Sequence, residues 1–294
     1  MRRAAHQLRD VPPVFRDPLA LRILGPELEA AVREAAASPD DPATRGLRAF
    51  LAVRSRLAED ELARAVARGL SQYVVLGAGF DTFAYRNPYA GLRVFEVDHP
   101  ATQELKRAAL RRAGIAIPES LAFAPVDFSH ETFADGLARA GFDDAQPAFY
   151  SWLGVTPYLP AAVTLDTLRR IAGLHARNAI VFDYSRPRAS LDDTHRAAFD
   201  ALADRVARAG EPFVGFFDSA RLADTMRAMG YATLEDLGAD ELTARYFAGR
   251  ADGLALTGRA GRIMCARRDA AGAPASRTLV RILGRLGHAR RLFG

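Results

Sequence analysis

A short apolar run, Gln72-Tyr-Val-Val-Leu76, leads directly into Gly77-Ala-Gly79-Phe-Asp81, and a second run, Val94-Phe-Glu96-Val-Asp98, ends on acids. Gly77 and Asp98 lie 21 residues apart. That is the interval at which a doubly wound α/β sheet sets a glycine turn and a carboxylate at the carboxyl ends of neighbouring strands. Glycine at 77 and 79 lets the backbone come close to a ligand, because no Cβ intervenes. A carboxylate at the next strand tip, Glu96 or Asp98, can accept both hydroxyls of a ribose. Together the two runs predict a site for a nucleoside-containing cofactor.

Two cofactor classes fit that outline. A dinucleotide site asks for Gly-x-Gly-x-x-Gly, with the pyrophosphate against a helix N-terminus. Here the third glycine is missing and Asp81 stands in the turn. A carboxylate beside a pyrophosphate repels it, which counts against NAD or FAD. S-adenosylmethionine carries no phosphate, and its ammonium and sulfonium are cations that Asp81 could attract. Asp81 could also cap the helix that follows. The residues favour the methyl donor, with S-adenosylhomocysteine as its product.

Around this pair the chain alternates. Strands are predicted near 72–76, 92–97, 121–126, 147–152 and 179–183, with helices near 81–87, 100–113, 130–140, 161–176 and 190–209. Such alternation implies right-handed crossovers and a mainly parallel sheet, with ligand bound where strand order reverses. Leu47, Phe50, Leu51, Leu57, Leu62 and Val66 fall at helical spacing, and Gly69 stops that helix. After residue 210, Ser219–Met229 reads as a helix, then Tyr231–Leu234 and Arg262–Ala266 as two closing antiparallel strands. Residues 1–45 read as irregular, broken by prolines, with one short helix over Asp17–Gly25. The expected fold is α/β: a Rossmann-like, doubly wound, mainly parallel seven-stranded sheet with an antiparallel C-terminal strand, plus helical N-terminal and lid additions. Residues 1–70 are expected to form a helical cap, 71–268 the main domain with 184–220 as a lid, and 269–294 a basic amphipathic tail.

Composition narrows the function classes. The net charge is +5, yet Lys106 is the only lysine among 40 basic residues, and acids are interspersed through most of the chain. Those arginines read as solvated helix faces, and no aromatic-interleaved basic stretch points to nucleic acid. Cys265 is the single cysteine, so no internal disulfide forms, which fits a reducing, cytoplasmic setting. No run of 18 uncharged apolar residues suggests stable membrane insertion, and no signal peptide is read at the N-terminus. The scattered histidines and lone cysteine lack metal-ligand spacing.

Val75-Leu-Gly-Ala-Gly-Phe-Asp-Thr-Phe-Ala-Tyr-Arg86 with Phe95-Glu-Val-Asp-His-Pro100 resembles the leucine carboxyl methyltransferase family, which includes tetracenomycin polyketide-type O-methyltransferases. Arg54-Ser-Arg56, Val126-Asp-Phe128, Ser151-Trp-Leu-Gly-Val-Thr-Pro-Tyr-Leu159 and Val181-Phe-Asp-Tyr184 continue the resemblance in family order over residues 45–185. Weaker similarity, in Gly210-Glu-Pro-Phe213 and Tyr246-Phe-Ala-Gly-Arg250, extends towards residue 268. A class I methyltransferase fold follows as an expectation.

The resemblance also implies roles. Arg54, 23 residues before Gly77, matches an arginine that pairs with the cofactor carboxylate, and Arg56 is second in line. Gly77, Ala78, Gly79 and Asp81 form the cofactor turn. Asp98 matches the ribose acceptor, with Glu96 as its neighbour. Asp127 matches an acceptor for the adenine amino group, and the backbone N–H of Phe128 meets a ring nitrogen; Asp127 could instead cap the next helix, where Ser129 competes with it. Many members carry Glu-Gly-Val where this chain has Leu153-Gly-Val, so a contact through that side chain gives way to a backbone one. Tyr158 and Tyr184, with Thr156 and Asp183, are candidates for the substrate side. The expected activity is methyl transfer to a carboxyl or hydroxyl oxygen of a small molecule, polyketide-like metabolites included. A hydroxyl acceptor needs a base, for which His99, His130, His175 and His195 are available; His99, before Pro100, reads better as a packing residue or a cap. Methylation of a protein C-terminus, or cofactor binding without turnover, are the alternatives. Residues 1–45 and 184–220, with Phe213, Phe216 and Phe217, are expected to cover the pocket. The tail over 275–294 could lie on an anionic surface, pack on its own domain, or join a homodimer.

Overall fold

The computed structural model describes residues 1–40, 42–128 and 130–268. The predicted tail and Ser129 lie outside the described residues.

Seven strands form one sheet: β1 Gln72–Leu76, β2 Arg93–Asp98, β3 Leu121–Pro125, β4 Ala148–Trp152, β5 Ala179–Ser185, β6 Thr233–Leu237 and β7 Gly261–Arg267. Their order is β3-β2-β1-β4-β5-β7-β6. β1 to β5 are parallel, and β7 runs antiparallel to both β5 and β6. The chain reverses its direction of travel across the sheet between β1 and β4, so a crevice opens beyond their carboxyl ends. All five residues of β1 and all five of β4 are buried. Both strands are covered on both faces, which is why they read as continuous apolar runs.

Nine helices are found among the described residues: α1 Arg2–Arg9, α2 Pro26–Ala37, α3 Pro42–Ala67, α4 Pro100–Arg112, α5 Phe133–Arg139, α6 Ala161–Leu174, α7 Asp193–Arg208, α8 Ser219–Ala228 and α9 Ala239–Tyr246. Their starts follow local chemistry. His99 caps α4 by accepting from Ala101 N, with Pro100 at the first helical position; Thr132 and Asp135 form a capping box on α5; Asp192 and Asp218 cap α7 and α8.

Strand alternation sorts two cores. Tyr73, Val75, Phe149 and Val181 pack with Ala49, Val53, Leu57 and Leu62 of α3. Val74, Leu76, Tyr150, Trp152, Phe182 and Tyr184 point to the other face, against Phe133, Leu168, Ile171, Leu222 and Met226 of α5, α6 and α8.

Five sequence expectations change. Residues 1–45 are not irregular: α1, α2 and the start of α3 occupy them, and the helix expected over 17–25 is a single 3-10 turn, Arg22–Leu24. α1 escapes a periodicity reading because its covered positions are Ala4 and His6 among arginines. The helix expected over 81–87 is likewise a 3-10 turn, Phe83–Arg86. The short α9 was not anticipated, and β6 starts at Thr233, two residues later than Tyr231.

Candidate active site

The turn after β1 is built for close approach. Gly77 and Gly79 have φ of +64° and +43°. A side chain in that region costs about 1–2 kcal/mol. A Cβ on Gly77 would stand 2.5 Å from Val155 Cγ2, whereas one on Gly79 would meet nothing within 4 Å. Gly77 therefore lets the β1 tip nest against the loop after β4, while Gly79 borders open space. The N–H groups of Gly77 and Ala78 both donate to Val97 O of β2.

Asp98 and Glu96 project from the same side of β2 but have different surroundings. Asp98 is half-buried; Oδ2 accepts from Gly79 N at 2.5 Å and Oδ1 from His99 N at 2.7 Å. Glu96 is 1% exposed, and its Oε2 accepts from Lys106 Nζ at 2.7 Å, the chain's one lysine. Burial pushes the Glu96 carboxyl up to about 7 against the pull of Lys106. The structure thus pairs Glu96 Oε2 with Lys106, leaves the buried Oε1 without a hydrogen-bond partner, and holds Asp98 at the turn.

A cavity of about 300 Å³ opens beside the turn. Arg54, Gly77, Ala78, Gly79, Asp81 and Leu153 line it, and so do Ser151 of β4 and Met1, Arg3 and Ala4 of the N-terminal segment. Asp81 acts as a turn cap, its Oδ1 accepting from Phe83 N at 2.8 Å. Burial would raise its carboxyl, but Arg3, then Lys106 and the Phe83 N–H, hold it below the usual range. Arg3 bonds Asp81 at 3.3 Å, Phe80 O at 3.0 Å and Asp17 at 3.1 Å. Thr82 Oγ1 in turn donates to Asp17 at 2.6 Å. Both residues of the Asp81-Thr82 pair therefore hold the N-terminal segment over the glycine turn.

Arg54 reaches the cavity from α3, with its side chain 21% exposed and ion-paired to Asp183 at 2.8 Å. Arg56 instead pairs with Asp60, one turn along α3. Tyr73 and Ser151 hydroxyls meet at 2.8 Å on the same sheet face, and burial raises the Tyr73 phenol well above its ordinary value.

The remaining predicted residues lie off the cavity wall. Asp127 follows β3, half-buried, with Oδ2 3.1 Å from His130 Nδ1; Phe128 is 58% exposed. Thr132, not Asp127, caps α5. Tyr158 sits in the 3-10 turn Thr156–Tyr158, its ring 5.4 Å from Phe213. Phe213 packs on Phe199 of α7, and Val214 and Gly215 donate to Pro157 O, so the segment after α7 docks on the turn that carries Tyr158. Burial raises the Tyr158 phenol above its usual value. Tyr184 does not reach the substrate side. It is 1% exposed, in the core on the opposite face from Arg54 and Asp183, and its hydroxyl bonds Ser219 and Asp236. The sequence placed both Asp183 and Tyr184 just past β5, but the strand runs on to Ser185, so the two residues face opposite ways.

Arg3 and Ser151, with Tyr73 bonded behind Ser151, were not foreseen at the site. Ser151 and Tyr73 carry no local signal, since a buried hydroxyl pair across two parallel strands shows only once register is known. Among the described residues Glu61, Glu235 and Cys265 bring potential ligand atoms within 4.8 Å of one another, towards the amino ends of β4 and β5. Arg64 pairs with Glu61, and Arg245 with both glutamates. No helix among the described residues is long and apolar enough to cross a membrane.

The profile of the family described as leucine carboxyl methyltransferase matches residues 1–172, so the N-terminal segment belongs to the matched region. YktD of Bacillus subtilis, provisionally named as an S-adenosyl-L-methionine-dependent methyltransferase, is 32% identical over 204 residues, 68% of this chain and 67% of that one. A similarly named Frankia alni protein is 35% identical over 173 residues, 56% of this chain and 58% of its own; one from Saccharopolyspora erythraea is 37% identical over 131 residues, 44% of this chain and 45% of its own. These matches span about half to two thirds of the relatives' own length. A crystal structure of a DUF574 family protein from Streptomyces avermitilis shares the fold, with a TM-score of 0.52 at 18% identity, over 91% of this chain and 97% of that one. On the match over more than half its length, the chain belongs to the leucine carboxyl methyltransferase family of S-adenosylmethionine-dependent enzymes.

Proposed function

We propose that the protein transfers the methyl group of S-adenosylmethionine to a carboxyl or hydroxyl oxygen of a small molecule. The observation that carries this reading is that the open Gly79 turn and Arg54 line one cavity at the strand-order reversal, with Asp98 bonded to the Gly79 N–H. The residues suit that cofactor. Gly79 leaves room that a Cβ would intrude upon, Asp98 keeps lone pairs for ribose hydroxyls, and the Arg54 guanidinium can take a carboxylate. Asp81, paired with Arg3, occupies the turn where a dinucleotide motif keeps its glycines free for a pyrophosphate. Asp127 and the Phe128 backbone at the tip of β3 would receive the adenine edge, and Leu153 would contribute backbone and apolar surface.

When bound, S-adenosylmethionine supplies a methyl group on a sulfonium, which is already activated for in-line displacement. The chain's own task is then positioning and exclusion of water. Residues 1–70 act as a cap, fixed through Arg3, and 184–220 as a lid over the 71–268 domain. Tyr158, with Phe213 beside it, faces the acceptor side. A carboxylate acceptor needs no base; a hydroxyl acceptor would need one.

The test is transfer of labelled methyl from S-adenosylmethionine to a panel of aromatic and polyketide-like acids and phenols, run beside a cell protein extract. Label in extractable small molecules supports the proposal. Label on a protein band alone assigns the enzyme to protein carboxyl groups. Cofactor binding without label in either fraction identifies a non-catalytic homologue.

A further inference from the structure

Asp183 is a buried carboxylate behind the cavity-lining Arg54, and it serves two elements at once. Its side chain is 5% exposed. Oδ2 accepts from Arg54 Nη1 at 2.8 Å and Oδ1 accepts from Gly154 N at 2.6 Å. Its own carbonyl accepts from Thr156 Oγ1 at 2.5 Å. One carboxylate therefore ties α3 to the loop leaving β4. Gly154 makes the junction feasible. Its φ is +72°, and a Cβ there would lie 2.7 Å from Arg54 Nη2. The guanidinium rests directly on the backbone next to Leu153, itself a cavity-lining residue.

We infer that Asp183 is a positioning residue for the amino-acid tail of the cofactor: it fixes the Arg54 fork and the Leu153–Gly154 backbone as one wall of the site. This rests on the methyltransferase reading above. An arginine on a long stem has many rotamers; a buried carboxylate holding one nitrogen selects one of them and leaves the other donors for an incoming carboxylate. Asparagine at 183 is nearly isosteric, but it can accept from only one of Arg54 and Gly154 and turns an N–H towards the other.

The experiment is calorimetric titration of the full chain and of Asp183→Asn with two ligands, S-adenosylhomocysteine and 5′-methylthioadenosine. The second keeps the adenosine and sulfur but lacks the amino-acid tail. The expected result is at least about tenfold weaker S-adenosylhomocysteine binding, as for other truncated buried charge pairs, with 5′-methylthioadenosine changed by less than about twofold. Arg54→Gln should show the same selectivity, and the double variant should bind no worse than Arg54→Gln alone. Should Asp183→Asn fail to fold, Asp183→Glu, which keeps the charge but displaces it by one methylene, is put through the same comparison with the same expected selectivity. Equal weakening of both ligands, no weakening of either, or additive losses in the double variant would overturn the inference. A wild-type chain that binds neither ligand contradicts the methyltransferase reading instead.

Discussion

Gly77 and Gly79 look interchangeable in the sequence, but the structure gives them separate work, and alanine at each position should separate fold from function. At Gly77 alanine meets two penalties. The left-handed φ of +64° costs about 1–2 kcal/mol. The new Cβ, 2.5 Å from Val155 Cγ2, adds an overpacking term of about 1–3 kcal/mol. The sum is about 2–5 kcal/mol, and a chain of this size loses roughly 2 °C of Tm per kcal/mol. At Gly79 only the backbone term applies, since a Cβ there meets nothing within 4 Å. Gly79→Ala should therefore cost stability by about 1–2 kcal/mol, yet weaken S-adenosylhomocysteine binding severely, because the methyl fills the open side of the turn. Removing Val155 Cγ2 provides an internal check: Val155→Ala in the Gly77→Ala background should return the overpacking share but not the backbone share. Thermal unfolding of the wild type and these three variants, with and without ligand, reads all of this. Equal destabilisation at 77 and 79, or no recovery with Val155→Ala, would refute the reasoning.

Other outcomes follow from the surrounding contacts. Lys106→Met strands the buried Glu96 carboxylate and should cost about 3–5 kcal/mol in thermal melts at neutral pH. Because burial raises Glu96 from 4.5 to about 7, the folded chain holds this proton more tightly; its contribution to stability falls as pH rises across that interval and is level above it. Melts at pH 5 and pH 8 should show that trend shrink in Glu96→Gln, and an unchanged trend would remove Glu96 as its source. Tyr184→Phe leaves Ser219 and Asp236 short of a partner and should lower Tm by the equivalent of about 1–3 kcal/mol while leaving the Kd for S-adenosylhomocysteine alone; a selective loss of affinity would return Tyr184 to the site. Asp10 is held far below the usual carboxylate range: burial opposes this, but Arg48 and then His6 outweigh it. Its stabilisation is present above the ordinary carboxyl value and is lost as pH falls. Asp10→Asn should loosen α1 and speed hydrogen exchange over residues 1–10 before the rest of the chain responds.

The central sheet was legible because its strands are buried on both faces and punctuated by glycine, so the runs at 72–76 and 94–98 declare strand, turn and strand tip together. The N-terminal segment was not, because its apolar contacts are few and small, Ala4, Ala20 and Val32 at their centre, and buried polar bonds share the anchoring. His6, Asp10 and Arg48 form one buried network that ties α1 to α3, with His6 Nε2 accepting from Val14 N. Periodicity is blind to such contacts. The same limit explains Glu96 and Tyr184. Both sit two residues or fewer from plausible ligand positions in the sequence, and only the partner side chains, Lys106 at Glu96 Oε2 and Ser219 and Asp236 at the Tyr184 hydroxyl, show what already holds them. Arg54 came from family resemblance and Asp183 was read as a substrate-side candidate; their pairing came only from the fold, which packs α3 on the face of β1, β4 and β5.

The central claim is that Asp98 and the Gly77–Gly79 turn hold S-adenosylmethionine. Calorimetric titration of the wild-type chain and Asp98→Ala with S-adenosylmethionine, S-adenosylhomocysteine and NADH tests it most directly. The account predicts that the wild type binds the first two and not NADH, and that Asp98→Ala loses both while still folding. Binding of NADH alone, or undiminished binding of S-adenosylmethionine by Asp98→Ala, would contradict it.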